Sequence, residues 1–116
     1  MSDVTIFHNP NCGTSRNTLE ILREKGVRPK VVEYLKAGWT EPQLKALFSQ
    51  MGVTARDVLR VRGTDAEERG LTAPDVSEDA IIKAMTESPV LVERPIVVTP
   101  KGAALCRPKE KVFDLI

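Results

Sequence analysis

The feature that most constrains this chain is the switch of period in its first 34 residues. Val4 to His8 reads as a short buried strand, cut off by Asn9-Pro10-Asn11, a turn cluster in which no strand can continue. After Cys12-Gly13 the spacing becomes helical through Ser15, Leu19 and Leu22, with Gly26 as the stop, and Lys30 to Tyr34 supplies a second strand. Strand, helix and strand within about 30 residues suggest a parallel pair joined by a right-handed crossover. A helical middle follows. Thr40-Glu41-Pro42-Gln43 is a capping box, with Leu44, Leu47, Phe48 and Met51 as its apolar face and Gly52 as its end. Thr54 with Asp57 and Thr64 with Glu67 suggest two shorter helices, and Ser77 opens a fourth carrying Ile81, Ile82 and Met85. Ile96 to Thr99 and Ala103 to Cys106 flank Pro100-Lys101-Gly102 as a hairpin, and Pro108 begins a last helix reaching Leu115. The expected class is α/β: one domain over residues 1 to 116 with a mixed sheet of thioredoxin-like order, interrupted by a helical block at residues 40 to 88.

Composition removes several functions. The 116 residues carry a net charge of +1, too little field for general binding to nucleic acid or membrane. Aromatic residues are 4% of the chain, too few for base-stacking platforms. The N-terminus lacks a secretory pattern and no apolar run approaches the roughly 20 residues of a membrane span, so a cytoplasmic protein is expected. A monomer is expected as well. In that reducing compartment Cys12 and Cys106 are expected as free thiols. Cys12 and His8 alone would leave a zinc ion short of ligands, so no metal is expected.

Cys12 stands between a strand and a helix N-terminus, where free backbone N–H groups and the helix dipole favour a thiolate. No acidic residue occurs from Val4 to Leu19, and His8 and Arg16 lie four residues to either side of the thiol. An imidazolium or guanidinium there would lower its pKa further. Cys12-Gly13-Thr14-Ser15 is a C-x-x-S motif, so Ser15 stands where a dithiol oxidoreductase has its second cysteine. An oxidised or adduct state must then be resolved by Cys106 or by an outside thiol. Thr18 replaces the arginine of a C-x5-R phosphatase loop. Arg60, Arg94 and Arg107 remain as forked, permanently charged donors suited to a tetrahedral oxyanion. Ser15 and Arg16, on the helical turn after the thiol, are counted with them as substrate-binding residues.

The strings His8 to Thr18, Arg94-Pro95-Ile96-Val97-Val98-Thr99-Pro100 and Leu105-Cys106-Arg107-Pro108 together resemble glutathione- and glutaredoxin-coupled arsenate reductases. The resemblance runs from the first strand to the last helix and implies a thioredoxin-like fold with a helical insertion. It makes Cys12 the nucleophile and His8 a residue that helps depress its pKa. Arg60, Arg94 and Arg107 become the oxyanion ligands, Pro95 a cis-proline beside the site, and Cys106 a structural thiol. Arg56 and Arg62 are close enough to Arg60 to substitute for it. Some members carry a longer polar tail beyond the point where this sequence ends, and that tail holds none of these residues. The implied reaction reduces arsenate through a covalent thiol–arsenic(V) adduct. Glutathione and glutaredoxin are the electron-donating co-substrates and no cofactor is bound. Phosphate would compete for the arginines without turning over. Two other readings stay open: a monothiol glutaredoxin-like oxidoreductase, and a thiol-stress regulator that binds RNA polymerase, although such regulators usually carry C-x-x-C.

Overall fold

A computed structural model describes residues 3–116. Its contacts group into two compact units: the residues up to Ala37 together with Arg94–Ile116, and Gly38–Glu93.

The first unit is built on a four-stranded sheet of order β2-β1-β3-β4. Strand β1 (Thr5–His8) pairs in parallel with β2 (Lys30–Glu33), and helix α1 (Gly13–Glu24) makes the crossover between them. Strand β3 (Ile96–Thr99) runs antiparallel to β1, and β4 (Gly102–Leu105) antiparallel to β3. This is the thioredoxin-like mixed sheet. Ile6 and His8 alternate onto the buried side of β1. Ile6, Leu19, Leu22, Val97, Cys106, Val112 and Leu115 form one core cluster. Leu22 is fully buried, so truncating it to alanine would remove a side chain whose loss typically costs about 2–5 kcal/mol. Helix α1 ends at a left-handed Gly26, where the Val27 N–H reaches back to the Leu22 carbonyl.

Two expectations fail in this unit. Tyr34 does not close β2; it opens a short helix α2 (Tyr34–Ala37) and its ring is fully buried. The final helix is a 3₁₀ stretch, Lys109–Asp114, with the Lys111 and Leu115 N–H groups bonded three residues back. Six residues sustain that tighter winding, and its Val112 still reaches the core.

The second unit holds helices α3 (Glu41–Met51) and α4 (Glu78–Glu87), which pack against each other. The capping box at Thr40 forms: Thr40 Oγ1 accepts the Gln43 N–H at 3.2 Å while Gln43 Oε1 accepts the Thr40 N–H at 3.3 Å. Gly52 takes the left-handed cap at φ 71°. Ser77 caps α4 by accepting the Ala80 N–H. Thr54 and Asp57 bond reciprocally over a single 3₁₀ turn, Arg56–Val58. The helix expected after Thr64 is absent. The Thr64 hydroxyl does accept the Ala66 N–H at 3.2 Å while donating to the Arg60 and Val61 carbonyls, but only turns follow, with Gly63 and Gly70 at positive φ on either side. Leu59 and Val92 meet in an isolated antiparallel bridge, so both ends of the inserted segment are tied together.

Candidate active site

The site of the first unit lies where β1 ends. Asn9 organises the turn. Its carbonyl accepts the Cys12 N–H at 3.0 Å, its Oδ1 accepts the Asn11 N–H at 2.9 Å, and its own N–H donates to Ser15 Oγ at 3.1 Å. Held this way, Cys12 is the N-cap of α1, extended at φ −101° and ψ 122°, and its carbonyl accepts the first helical bond from Arg16. A thiolate at an N-cap faces the unpaired amides of the first turn.

Burial alone would push the Cys12 thiol up. The Ser15 amide, the Arg94 and Arg107 side chains and the Arg94 charge outweigh burial, and the pKa falls below the ordinary thiol value. Arg107 Nη1 donates to Cys12 Sγ at 3.6 Å and to the Arg94 carbonyl at 3.1 Å. Arg94 Nε and Nη1 are buried and have no hydrogen-bond partner among the described residues. A guanidinium in that state suits an anion, because its desolvation is otherwise uncompensated. The Arg94–Pro95 peptide bond is cis, and so is Arg107–Pro108, which nothing in the sequence signalled. A polar cleft of about 380 Å³, lined by Thr14, Asn17, Arg107, Pro108, Lys109 and Glu110, opens beside Arg107.

Two residues expected near the thiol act differently. His8 is 6% exposed, and its Nδ1 lies 2.6 Å from Ser15 Oγ. Burial lowers its pKa, Glu33 raises it, and Arg23 and Arg16 lower it again, with a net fall. His8 thus meets Ser15, and it is not among the groups that lower the Cys12 pKa. Arg16 is likewise turned away. Its Nη1 donates to the Pro10 carbonyl at 2.9 Å, and its charge is not among those that lower the Cys12 pKa.

Cys106 is fully buried in the core, its Sγ–H directed at the Ala104 carbonyl 3.8 Å away. Burial pushes its pKa up to about 12, against a smaller lowering by Lys111, so it is inert at neutral pH. Arg60 belongs to the second unit, where Nη1 pairs with Glu93 Oε1 at 2.9 Å and Nε donates to the Arg62 carbonyl. Arg56 there donates to the Ala73 and Val76 carbonyls. Asn9 and Tyr34 are the residues that sequence reasoning missed. The Tyr34 phenol interacts with the Asn9 and Arg94 side chains and with the Cys12 charge. The pairing of the two parallel strands was the signal that could have found both. Among the described residues no three His, Cys, Asp or Glu side chains form a metal-holding group, and no helix is long and apolar enough to cross a membrane.

Known proteins carry the same frame. An arsenate reductase of Synechocystis is 50% identical over 97% of this chain and 81% of its own length. An Escherichia coli arsenate reductase is 46% identical over all of this chain and 82% of its own length. The structure of an arsenate reductase from Vibrio cholerae superposes with a TM-score of 0.92 at 38% identity, covering 97% of each chain. The sequence matches the ArsC family over residues 7–115, and the chain belongs to that family.

Proposed function

We propose that this protein reduces arsenate to arsenite, with Cys12 as the attacking thiolate. The observation that carries this reading is the contact of Arg107 with Cys12 Sγ beside the buried, unpartnered nitrogens of Arg94: a stabilised nucleophile next to forked cationic donors. The family relatives named arsenate reductases support it. Arsenate binds to Arg94 and Arg107. The thiolate forms a sulfur–arsenic bond while one arsenic-bound oxygen takes up protons and leaves as water. Arsenic is still pentavalent in this adduct. Two electrons then come from two outside thiols: glutathione displaces a second arsenic-bound oxygen as water, and a glutaredoxin thiol takes the glutathionyl sulfur as a mixed disulfide, leaving the electron pair on arsenic, which becomes trivalent. Hydrolysis of the remaining sulfur–arsenic bond releases arsenite and restores Cys12.

An external reductant is supported by what surrounds the thiol. Ser15 cannot form a disulfide, and Cys106 is buried with its pKa raised to about 12. We place the reaction in the cytoplasm, where such thiols are kept reduced. The test is a coupled assay of NADPH oxidation with glutathione, glutathione reductase and glutaredoxin. Arsenate should start the reaction, phosphate should slow it, and a glutathione mixed disulfide in place of arsenate should give no comparable rate. Turnover of the mixed disulfide without arsenate-dependent turnover would make the protein a glutaredoxin-like oxidoreductase instead.

A further inference from the structure

One buried polar side chain at the site has no part in the chemistry above. Tyr34 is fully buried and directly follows β2. The parallel register pairs His8 with Glu33, so the next residues, Asn9 and Tyr34, sit side by side at the C-terminal end of the pair. The antiparallel register pairs Phe7 with Ile96 and, continued past its last pair, sets Arg94 opposite Asn9. The β3–β4 register pairs Ile96 with Leu105, and the Cys106 N–H to Pro95 carbonyl bond extends it, so Arg107 falls opposite Arg94. Tyr34, Asn9, Arg94 and Arg107 thus form one row across the end of the sheet, next to the loop that carries Cys12.

The chemistry within the row has a direction. Burial pushes the phenol pKa up, and the nearby Arg94 charge and the Asn9 and Arg94 side chains act in the opposite sense, favouring its anion. Asn9 Oδ1 already accepts the Asn11 N–H, which leaves the amide nitrogen for this contact. Arginine has donors only. We propose that Tyr34 is a positioning residue: its phenol oxygen fixes the Arg94 guanidinium against Asn9, whose backbone holds the Cys12 turn, so that oxyanion donor and nucleophile share one frame. A phenylalanine would fill the same space, so Tyr34→Phe removes the hydroxyl while keeping the packing. The inference rests on the reading of Arg94 as an oxyanion ligand and specifies what aims it.

Tyr34→Phe tests it by protection of Cys12 from iodoacetamide by inorganic phosphate, a readout that needs no turnover. Protection should demand about tenfold more phosphate in Tyr34→Phe, the scale of one hydrogen bond to a charged group. The arsenate KM should rise by a similar factor, with a smaller change in kcat. Tyr34→Phe combined with Arg94→Ala should be no worse than Arg94→Ala alone, because the two changes act through one group. Unchanged phosphate protection in a folded Tyr34→Phe protein, or losses that simply add in the double variant, would overturn the proposal. A wild-type protein that shows phosphate protection but no arsenate turnover would overturn the proposed reaction, while the protection ratio would still decide the role of Tyr34.

Discussion

At the scale of single residues, the two cysteines show how environment sets reactivity. Cys12 keeps a lowered pKa despite burial because amide and guanidinium donors converge on it, whereas at Cys106 burial outweighs the Lys111 charge and the thiol makes only a weak contact to a carbonyl. The N-cap position of Cys12 was legible in the sequence because a turn cluster followed by helical spacing defines an N-cap. The state of His8 was not, since its burial depends on which face of β1 meets the core. This is the only histidine in the chain, so its titration can be read by NMR without assignment. Its midpoint should fall below the ordinary value of about 6.5. The sign for stability follows. With the folded pKa lowered, the contribution of His8 is complete above the unfolded value near 6.5 and is lost as pH falls through the folded pKa. A midpoint above that value would favour the imidazolium reading. The pH profile of Cys12 alkylation supplies a second check. Arg107→Ala should move it to higher pH, and His8→Ala should move it less. A larger effect of His8→Ala would contradict the lowered pKa of His8.

At the scale of elements, caps and register explain most of what the sequence revealed. The crossover pair, the Thr40 capping box and the β3–β4 hairpin all rest on local signals and all form. The Thr64 signal was just as local, and its hydroxyl does accept the Ala66 N–H, yet no helix followed. A cap motif works only where an uninterrupted run follows, and Gly70 and Pro74 interrupt this one. Helix α2 was invisible because a strand and a four-residue helix share the same short apolar stretch. Thr40→Ala should cost about 0.5–2 kcal/mol in chemical denaturation, since it leaves the Gln43 N–H without its acceptor. No loss of stability would mean that water serves that group as well as the side chain does.

At the scale of the whole molecule, residues distant in sequence acquire one function through sheet topology. Cys12 and Arg107 are separated by most of the chain, and the order β2-β1-β3-β4 brings them into contact. Spacing alone suggested their identity but gave no distance. The setting of Arg60 was the least legible, because it lies in the inserted unit among other arginines and pairs there with Glu93. The central claim is that one thiolate, Cys12, carries the reduction and that Cys106 serves only the core. The direct measurement is arsenate-dependent NADPH oxidation in the coupled assay, compared between folded Cys12→Ser and Cys106→Ser proteins. The account predicts no arsenate-dependent rate above background for Cys12→Ser and substantial activity for Cys106→Ser; comparable loss in both would contradict it, because Cys106 would then be resolving the adduct.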